Sequence, residues 1–403
     1  MEKKTPSNIL AFILVLTHWI AVPISAGNAF PISCGGSFKD FLNNFSSEAA
    51  IIGIPETTLE IIGKIKQDQK VLIYDRSQKS FKMSFIDFAE RAVNDYRIKT
   101  GRKKIQKYSK LFNEFEDRYG IPSEVITAFW AMETDFGAVQ GKFNTLNSLA
   151  TLAHDCRRTE MFQLEFLAGL KLIEDNQIDP DIKGAWAGEI GQVQMLPTDI
   201  LRFGKDGNND GNIDLKNSPE DAVATAFELV AHLGWRPNEP WLDEVVLGRD
   251  FRFEDAGFGR GRSIEEWVSL GVKGIPASIV NSNPNAELLL PQGHNGPSFL
   301  AYSNYDIFLK WNDSFIYTVT AAYLAKRIQG TKPFSHMSPE GILDQDDMII
   351  LQEKLVKLGE DVGKLDGILG AKTRQAVRKW QLKTGFIADS WPTRNFFQVL
   401  QSY

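Results

Sequence analysis

The sequence predicts a mainly α-helical protein: a large N-terminal domain, then a smaller helical unit. Three observations carry this. Apolar residues recur at helical spacing between Ser37 and Gly120, as in Phe38, Phe41, Leu42 and Phe45 and again in Phe85, Phe88, Ala89 and Ala92. No alternating run of strand length interrupts that region. A segment carrying Pro333, Ser335, Pro339 and Gly341 then separates it from a second helical pattern near the C-terminus.

With 403 residues, 43% of them hydrophobic, the chain has material for two cores, which excludes a disordered protein. A net charge of -6 lacks the basic footprint that nucleic acid requires, so no nucleic-acid partner is expected. The N-terminus carries Lys3 and Lys4, an apolar run from Ile9 to Ile24, and the small residues of Ser25-Ala-Gly-Asn-Ala29. That is a signal-peptide pattern, and Pro23 breaks the run an anchor would need, so residues 1–29 are assigned to export into the periplasm. Cys34 follows Pro31-Ile32-Ser33, with proline where a lipidation motif wants leucine, which makes an outer-membrane lipoprotein the lesser reading.

Cys34 and Cys156 are the only cysteines. In an oxidising compartment they have one intramolecular pairing, a disulfide that would restrict the unfolded chain by on the order of 4 kcal/mol. Two buried free thiols are the alternative.

The central stretch runs from Gly120 to Gly137. Pro122, Ser123 and Glu124 supply a helix start and Gly137 a stop, so the pattern predicts a helix from Val125 to Phe136. Ile126, Phe129, Trp130 and Glu133 share one face, so a carboxyl lies on the stripe that should meet the core. A half-buried acid without a base raises its pKa and becomes a proton donor near neutral pH, as a general acid must. A structural glutamate bonded to an arginine or to backbone amides fits the helix alone equally well.

Gly184-Ala-Trp-Ala-Gly-Glu-Ile-Gly-Gln-Val-Gln-Met-Leu-Pro197 is the most unusual stretch. Its glycines let the backbone approach a ligand, Gln192 and Gln194 offer amides, and Trp186 offers a flat face to a sugar ring. A tight turn with Trp186 in the core is the alternative. His154, Arg157 and Arg158 read as structural or solvated residues ahead of ligands.

Asp206-Gly-Asn-Asn-Asp-Gly-Asn-Ile-Asp214 places oxygen side chains at alternate positions with Gly211 sixth, as in a calcium loop. Asp206, Asn208, Asp210 and the Asn212 carbonyl would be the ligands. An Asn/Gly turn without metal is the other reading.

These stretches carry a resemblance. Ala131-Met-Glu133-Thr-Asp-Phe-Gly137 looks like the glutamate signature of the membrane-bound lytic murein transglycosylase B family, and Gly184-Ala-Trp-Ala-Gly188 with Gly191-Gln-Val-Gln194 looks like its second signature. Asn312 and Tyr317 match an asparagine and a tyrosine that the family uses to hold the sugar. Leu351 to Gln381, with Asp366-Gly-Ile-Leu-Gly370, resembles a peptidoglycan-binding domain of three short helices. The domains implied are 1–29 signal peptide, 37–330 catalytic domain, 331–346 linker and 347–403 peptidoglycan-binding domain.

The resemblance implies an α+β, lysozyme-like catalytic domain. It implies cleavage of the MurNAc–GlcNAc β-1,4 bond without hydrolysis, leaving 1,6-anhydromuramoyl ends, with Glu133 as sole acid and base. Gln194 would contact the substrate beside that acid, and Asn312 and Tyr317 would hold the ring. Asp221 would close the calcium loop, with Glu220 as the substitute, and the ion would be structural. No organic cofactor is implied, and the partners would be glycan strands and proteins of the wall machinery, met by a monomer. In one departure, Ala185 stands where some members carry a serine bonded to the catalytic carboxylate. Two rivals remain: a muramidase activating water through Glu189, and a wall-binding scaffold without activity.

Overall fold

The structure, a computed structural model, describes residues 30–76, 83–334 and 339–403. The signal-peptide assignment and part of the linker, 335–338, lie outside the described residues. Those described form two compact units, one from 30–76 and 107–232, the other from 83–106 and 233–403.

The first unit is helical apart from one antiparallel pair, Phe143–Asn144 with Lys183–Gly184. Phe41 and Phe45 from the helix Phe38–Ile51, Leu149 from Thr145–His154, and Phe166 and Leu170 from Thr159–Glu174 share one core. Cys34 and Cys156 form a disulfide that ties the chain ahead of these helices to the turn between the last two. Beside it, the Gln163 side chain bonds both the N–H and the carbonyl of Ile32, at 2.8 and 2.9 Å.

The helix carrying Glu133 runs from Ser123 to Thr134, two residues short of the expected end. Its first turn is capped from the preceding helix, Ser109–Tyr119: Glu116 Oε2 accepts the Ser123 amide at 3.2 Å and the Ser123 hydroxyl at 2.5 Å. Of its residues only Glu124 escapes full burial, so the helix is enclosed on every side and has no solvent face. The apolar stripe read from the sequence is one sector of a wholly buried cylinder.

The second unit contains a sheet within a region, 242–302, where helical and strand periodicity are both absent from the sequence. Five antiparallel strands lie in the order Arg262–Ser263, Asn285–Leu289, Ser298–Tyr302, Leu242–Leu247, Val272–Lys273. Two of the five are only two residues long, and every residue of the central strand is buried, so no polar alternation marks it. Val245, Trp267, Leu288 and Leu300 form the core beneath them.

The C-terminal module consists of helices Gln345–Lys357, Ala371–Thr384 and Arg394–Gln401. Ala376, Val377 and Trp380 face its core together with Leu351, Leu355 and Phe396. Leu343 joins that core from the expected linker. Arg374 and Arg378, on the second of these helices, are buried. Arg374 donates to the carbonyls of Leu369, Leu290 and Pro291 at 3.3, 3.3 and 2.7 Å, and Arg378 to that of Ala256 at 2.6 Å. Asp389 accepts His294 Nδ1 at 2.6 Å and the His294 amide at 3.0 Å. The module is thus docked on residues of the sheet region, whose backbone carbonyls an arginine fork satisfies well. Lys372 of the same helix stays on the surface, paired with Asp361.

Candidate active site

Glu133 lies in the last turn of its helix at 5% exposure. The helix stops because Asp135, Phe136 and Gly137 take φ of 50°, 61° and 89° in succession. Asp135 N–H bonds the Ala131 carbonyl and Phe136 N–H that of Trp130, a Schellman-type end that satisfies the last carbonyls. Gly137 is needed where it stands, since a Cβ there would lie 2.6 Å from Gln192 Oε1.

The stretch 184–197 folds onto this end. Ile190 and Met195 pair as an antiparallel bridge, so Gly191 to Gln194 form a tight turn in which Gly191 and Gln194 have φ of 83° and 53°. A non-glycine residue held left-handed in a buried turn is a strained position of the kind found at functional sites. Gln194 Nε2 bonds back to the Gly191 carbonyl at 2.8 Å.

Two residues expected to meet substrate do not offer the groups assigned to them. Trp186, at 2% exposure, sits in the core with Phe45 and Leu149, because the backbone turn points its ring inward and leaves no flat face for a sugar. Gln192 has its amide engaged at both ends: Oε1 accepts Trp130 Nε1 at 3.1 Å and Nε2 donates to the Lys216 carbonyl at 3.3 Å. Ala185 supplies no side-chain bond, and its amide bonds the Glu189 carbonyl at 2.9 Å.

Glu189 is buried, which pushes its carboxyl up to about 7 against the pull of the Arg158 charge. Its Oε2 has no hydrogen-bond partner among the described residues. Arg157 and Arg158 both pair with the buried Asp75, which gives them a structural role. His154 is likewise bonded, to the Gly36 carbonyl and Gln67, with its ring against Phe38 and Phe41.

In the loop from Asp206, Oδ1 of Asp206 accepts the amides of Asn209 and Asp210, and Oδ2 that of Gly211. Asp221, fully buried, accepts the amides of Gly207 at 3.0 Å and Asp214 at 2.8 Å. The loop therefore curls around its own carboxylates. Oxygen donors suited to a hard cation are present at Asp206, Asn208, Asp210 and the Asn212 carbonyl. Among the described residues, no three His, Cys, Asp or Glu side chains are gathered as a metal cluster.

In the second unit, Asn312 and Tyr317 are both 2% exposed. Asn312 Oδ1 accepts the Ser314 amide at 2.9 Å, and its Nδ2 is buried without a hydrogen-bond partner among the described residues. Tyr317 lies in the first turn of the helix Phe315–Gln329, where its amide bonds the Ser314 cap.

Sequence reasoning missed three contributors. Thr134 donates its hydroxyl to the Gln192 carbonyl at 2.5 Å and accepts the Gly137 amide at 2.8 Å. Leu215 and Lys216 act through backbone carbonyls, which no side-chain pattern marks; a threonine beside the helix stop was the one available signal.

The site so described joins a buried carboxyl in the last turn of a helix to a Gly-Gln turn folded onto that helix end. The chain belongs to the transglycosylase SLT domain family, whose model matches residues 37–326, and residues 344–400 match the peptidoglycan binding domain model. It is similar to SltB3 from Pseudomonas aeruginosa, solved with NAG-anhNAM-pentapeptide: 32% identity, TM-score 0.82, covering 91% of this chain and all of that one. Membrane-bound lytic murein transglycosylase B of Escherichia coli is 26% identical over 250 residues, 61% of this chain and 67% of that protein. The Escherichia coli SLT35 structure in complex with calcium shares the fold at TM-score 0.63 and 24% identity, over 73% of this chain and 95% of that one.

Proposed function

We infer that this chain is a peptidoglycan lytic transglycosylase, cleaving the bond between N-acetylmuramic acid and N-acetylglucosamine without water, and that Glu133 is its sole acid and base. The observation carrying this is a carboxyl withdrawn from water in the last turn of an enclosed helix, beside the family's two signatures. A general acid at this place must carry its proton when the glycosidic bond breaks. Glu133 gives its proton to the glycosidic oxygen as the C1–O bond breaks. Its carboxylate then takes the C6 hydroxyl proton as that oxygen closes on C1, which restores the acid and leaves the 1,6-anhydro ring. Gln194, Asn312 and Tyr317 are proposed to hold the saccharide; the buried, unpaired Nδ2 of Asn312 supports this, because such a donor favours a ligand oxygen.

The donor set of the Asp206 loop fits Ca²⁺, which Asp206, Asn208, Asp210 and the Asn212 carbonyl would hold, with Asp221 closing the loop. The ion would supply rigidity. Titration calorimetry with Ca²⁺, on the wild type and on Asp206→Ala, tests this, and the absence of heat from the wild type would leave a metal-free Asx turn. Export through segment 1–29, action in the periplasm as a monomer, and contact with wall-machinery proteins complete the proposal.

The test is mass analysis of fragments released from purified sacculi by the wild type and Glu133→Gln. Products lighter by one water than reducing-end muropeptides, missing with the variant, are expected. Reducing ends would mean hydrolysis and turn attention to Glu189. Binding without release would leave a scaffold.

A further inference from the structure

We infer that Gln192 is a positioning residue for Glu133, tying the helix turn that carries the acid to segment 214–217 of the acidic loop. This rests on Glu133 being the acid. Gln192 holds the helix at two points on either side of Glu133. Three residues before it, Trp130 Nε1 donates to the Gln192 side chain at 3.1 Å. One residue after it, the Thr134 hydroxyl donates to the Gln192 carbonyl at 2.5 Å. Gly137 packs against the same amide so closely that no side chain fits between. Rotation or sliding of that turn, and hence displacement of the carboxyl, must break one of these contacts.

The other side of Gln192 is anchored as firmly. Its amide donates to the Leu215 carbonyl at 2.8 Å and its Nε2 to the Lys216 carbonyl at 3.3 Å, where Gln140 Nε2 also donates at 3.0 Å. Lys216 and Asn217 are held in turn by Asp214, whose Oδ1 accepts their amides at 3.0 and 2.9 Å. The Asp214 amide is fixed by Asp221 Oδ2 at 2.8 Å. An unbroken series of buried or backbone hydrogen bonds therefore runs from Asp221 through Asp214, Lys216 and Gln192 to the two residues flanking the acid. Order in a surface loop is read out as the position of a carboxyl. The arrangement also gives both ends of the Gln192 amide partners within the protein.

Misplacing a catalytic group by about 1 Å costs roughly a hundredfold in rate. The test uses the full chain and soluble glycan strands, reading kcat, KM and the pH profile of anhydro-product release, with circular dichroism and melting temperature beside them. Gln192→Met fills the same space without either bond. It should lower kcat roughly ten- to a hundredfold, leave KM within about twofold, and shift the basic limb of the pH profile, while remaining folded. Gln192→Glu keeps the acceptor for Trp130 but loses the donor to Lys216, so its kcat should fall between. Asp214→Ala should lower kcat in the wild type and change little further in Gln192→Met. A rise in KM at unchanged kcat would overturn the inference in favour of a substrate ligand. So would a loss of rate matched by the loss of folded protein, or multiplying effects of Asp214→Ala and Gln192→Met. Glu133→Gln separates the two readings: if it still makes anhydro product the acid is misassigned, whereas if it is inactive and Gln192→Met keeps its kcat, the positioning role alone fails.

Discussion

Trp130 and Gln192, 62 residues apart in sequence, share one buried hydrogen bond of 3.1 Å between indole Nε1 and amide Oε1. It joins the helix of Glu133 to the Gly-Gln turn at the level of the acid. Trp130→Phe removes the donor and part of the buried ring, which strands a buried acceptor at a cost of about 1–3 kcal/mol and adds a cavity penalty to it. Urea unfolding of the two proteins measures it, and an unchanged midpoint would mean that another donor replaces the indole.

Stability should fall as pH rises. Burial pushes Glu165 up to about 8, Glu189 to about 7 and Asp199 to about 6, and Asp199 adds to the shift of Glu165. Groups whose folded pKa lies above the unfolded value bind more protons when folded, so their contribution is full below the unfolded values near 4 and is lost through the folded ones. The melting temperature should therefore decline between about pH 5 and 8. Glu165 accepts both the amide and the hydroxyl of Thr198, and Glu165→Gln retains an acceptor without a charge to develop. That variant should show a shallower decline, and a parallel one would remove Glu165 as its source.

The disulfide spans 122 residues of sequence and fixes a segment that otherwise meets the helices through few hydrogen bonds. A loop of that length restricts the unfolded chain by about 4 kcal/mol. Reduction, or the double change Cys34→Ser with Cys156→Ser, should lower the melting temperature by several degrees. If the oxidised and reduced proteins melt together, the bond has not formed.

Arg374 marks the docking of the C-terminal module. Its guanidinium is fully enclosed, its pKa pushed down to about 10 by burial, and it lies over the Phe315 ring at 4.7 Å. Arg374→Met should leave the carbonyls of Leu290 and Pro291 unsatisfied, cost about 2–4 kcal/mol, and speed amide exchange across 371–384. Exchange unchanged from wild type would show that Arg378 and the His294–Asp389 pair suffice.

Local signals made much of this protein legible. Helical spacing, proline and glycine at helix ends and the two family signatures lie within stretches of a few residues, where the chain's own geometry sets the pattern. The class of protein, the helix of Glu133 and the three-helix module with Ala376, Val377 and Trp380 inward all follow from such stretches. What remained were questions about partners far away in sequence. Whether Trp186 shows its face or buries it, and whether Gln192 serves substrate or Trp130, depends on what packs against the turn. Arg374 reads as a surface cation until the carbonyls of Leu290 and Pro291, more than eighty residues earlier, close over it. The five-stranded sheet was hidden because two of its strands are only two residues long and the central one, buried on both faces, leaves no alternation to read. Periodicity records which residues avoid water, whereas the tertiary structure alone decided which group each buried polar atom would meet.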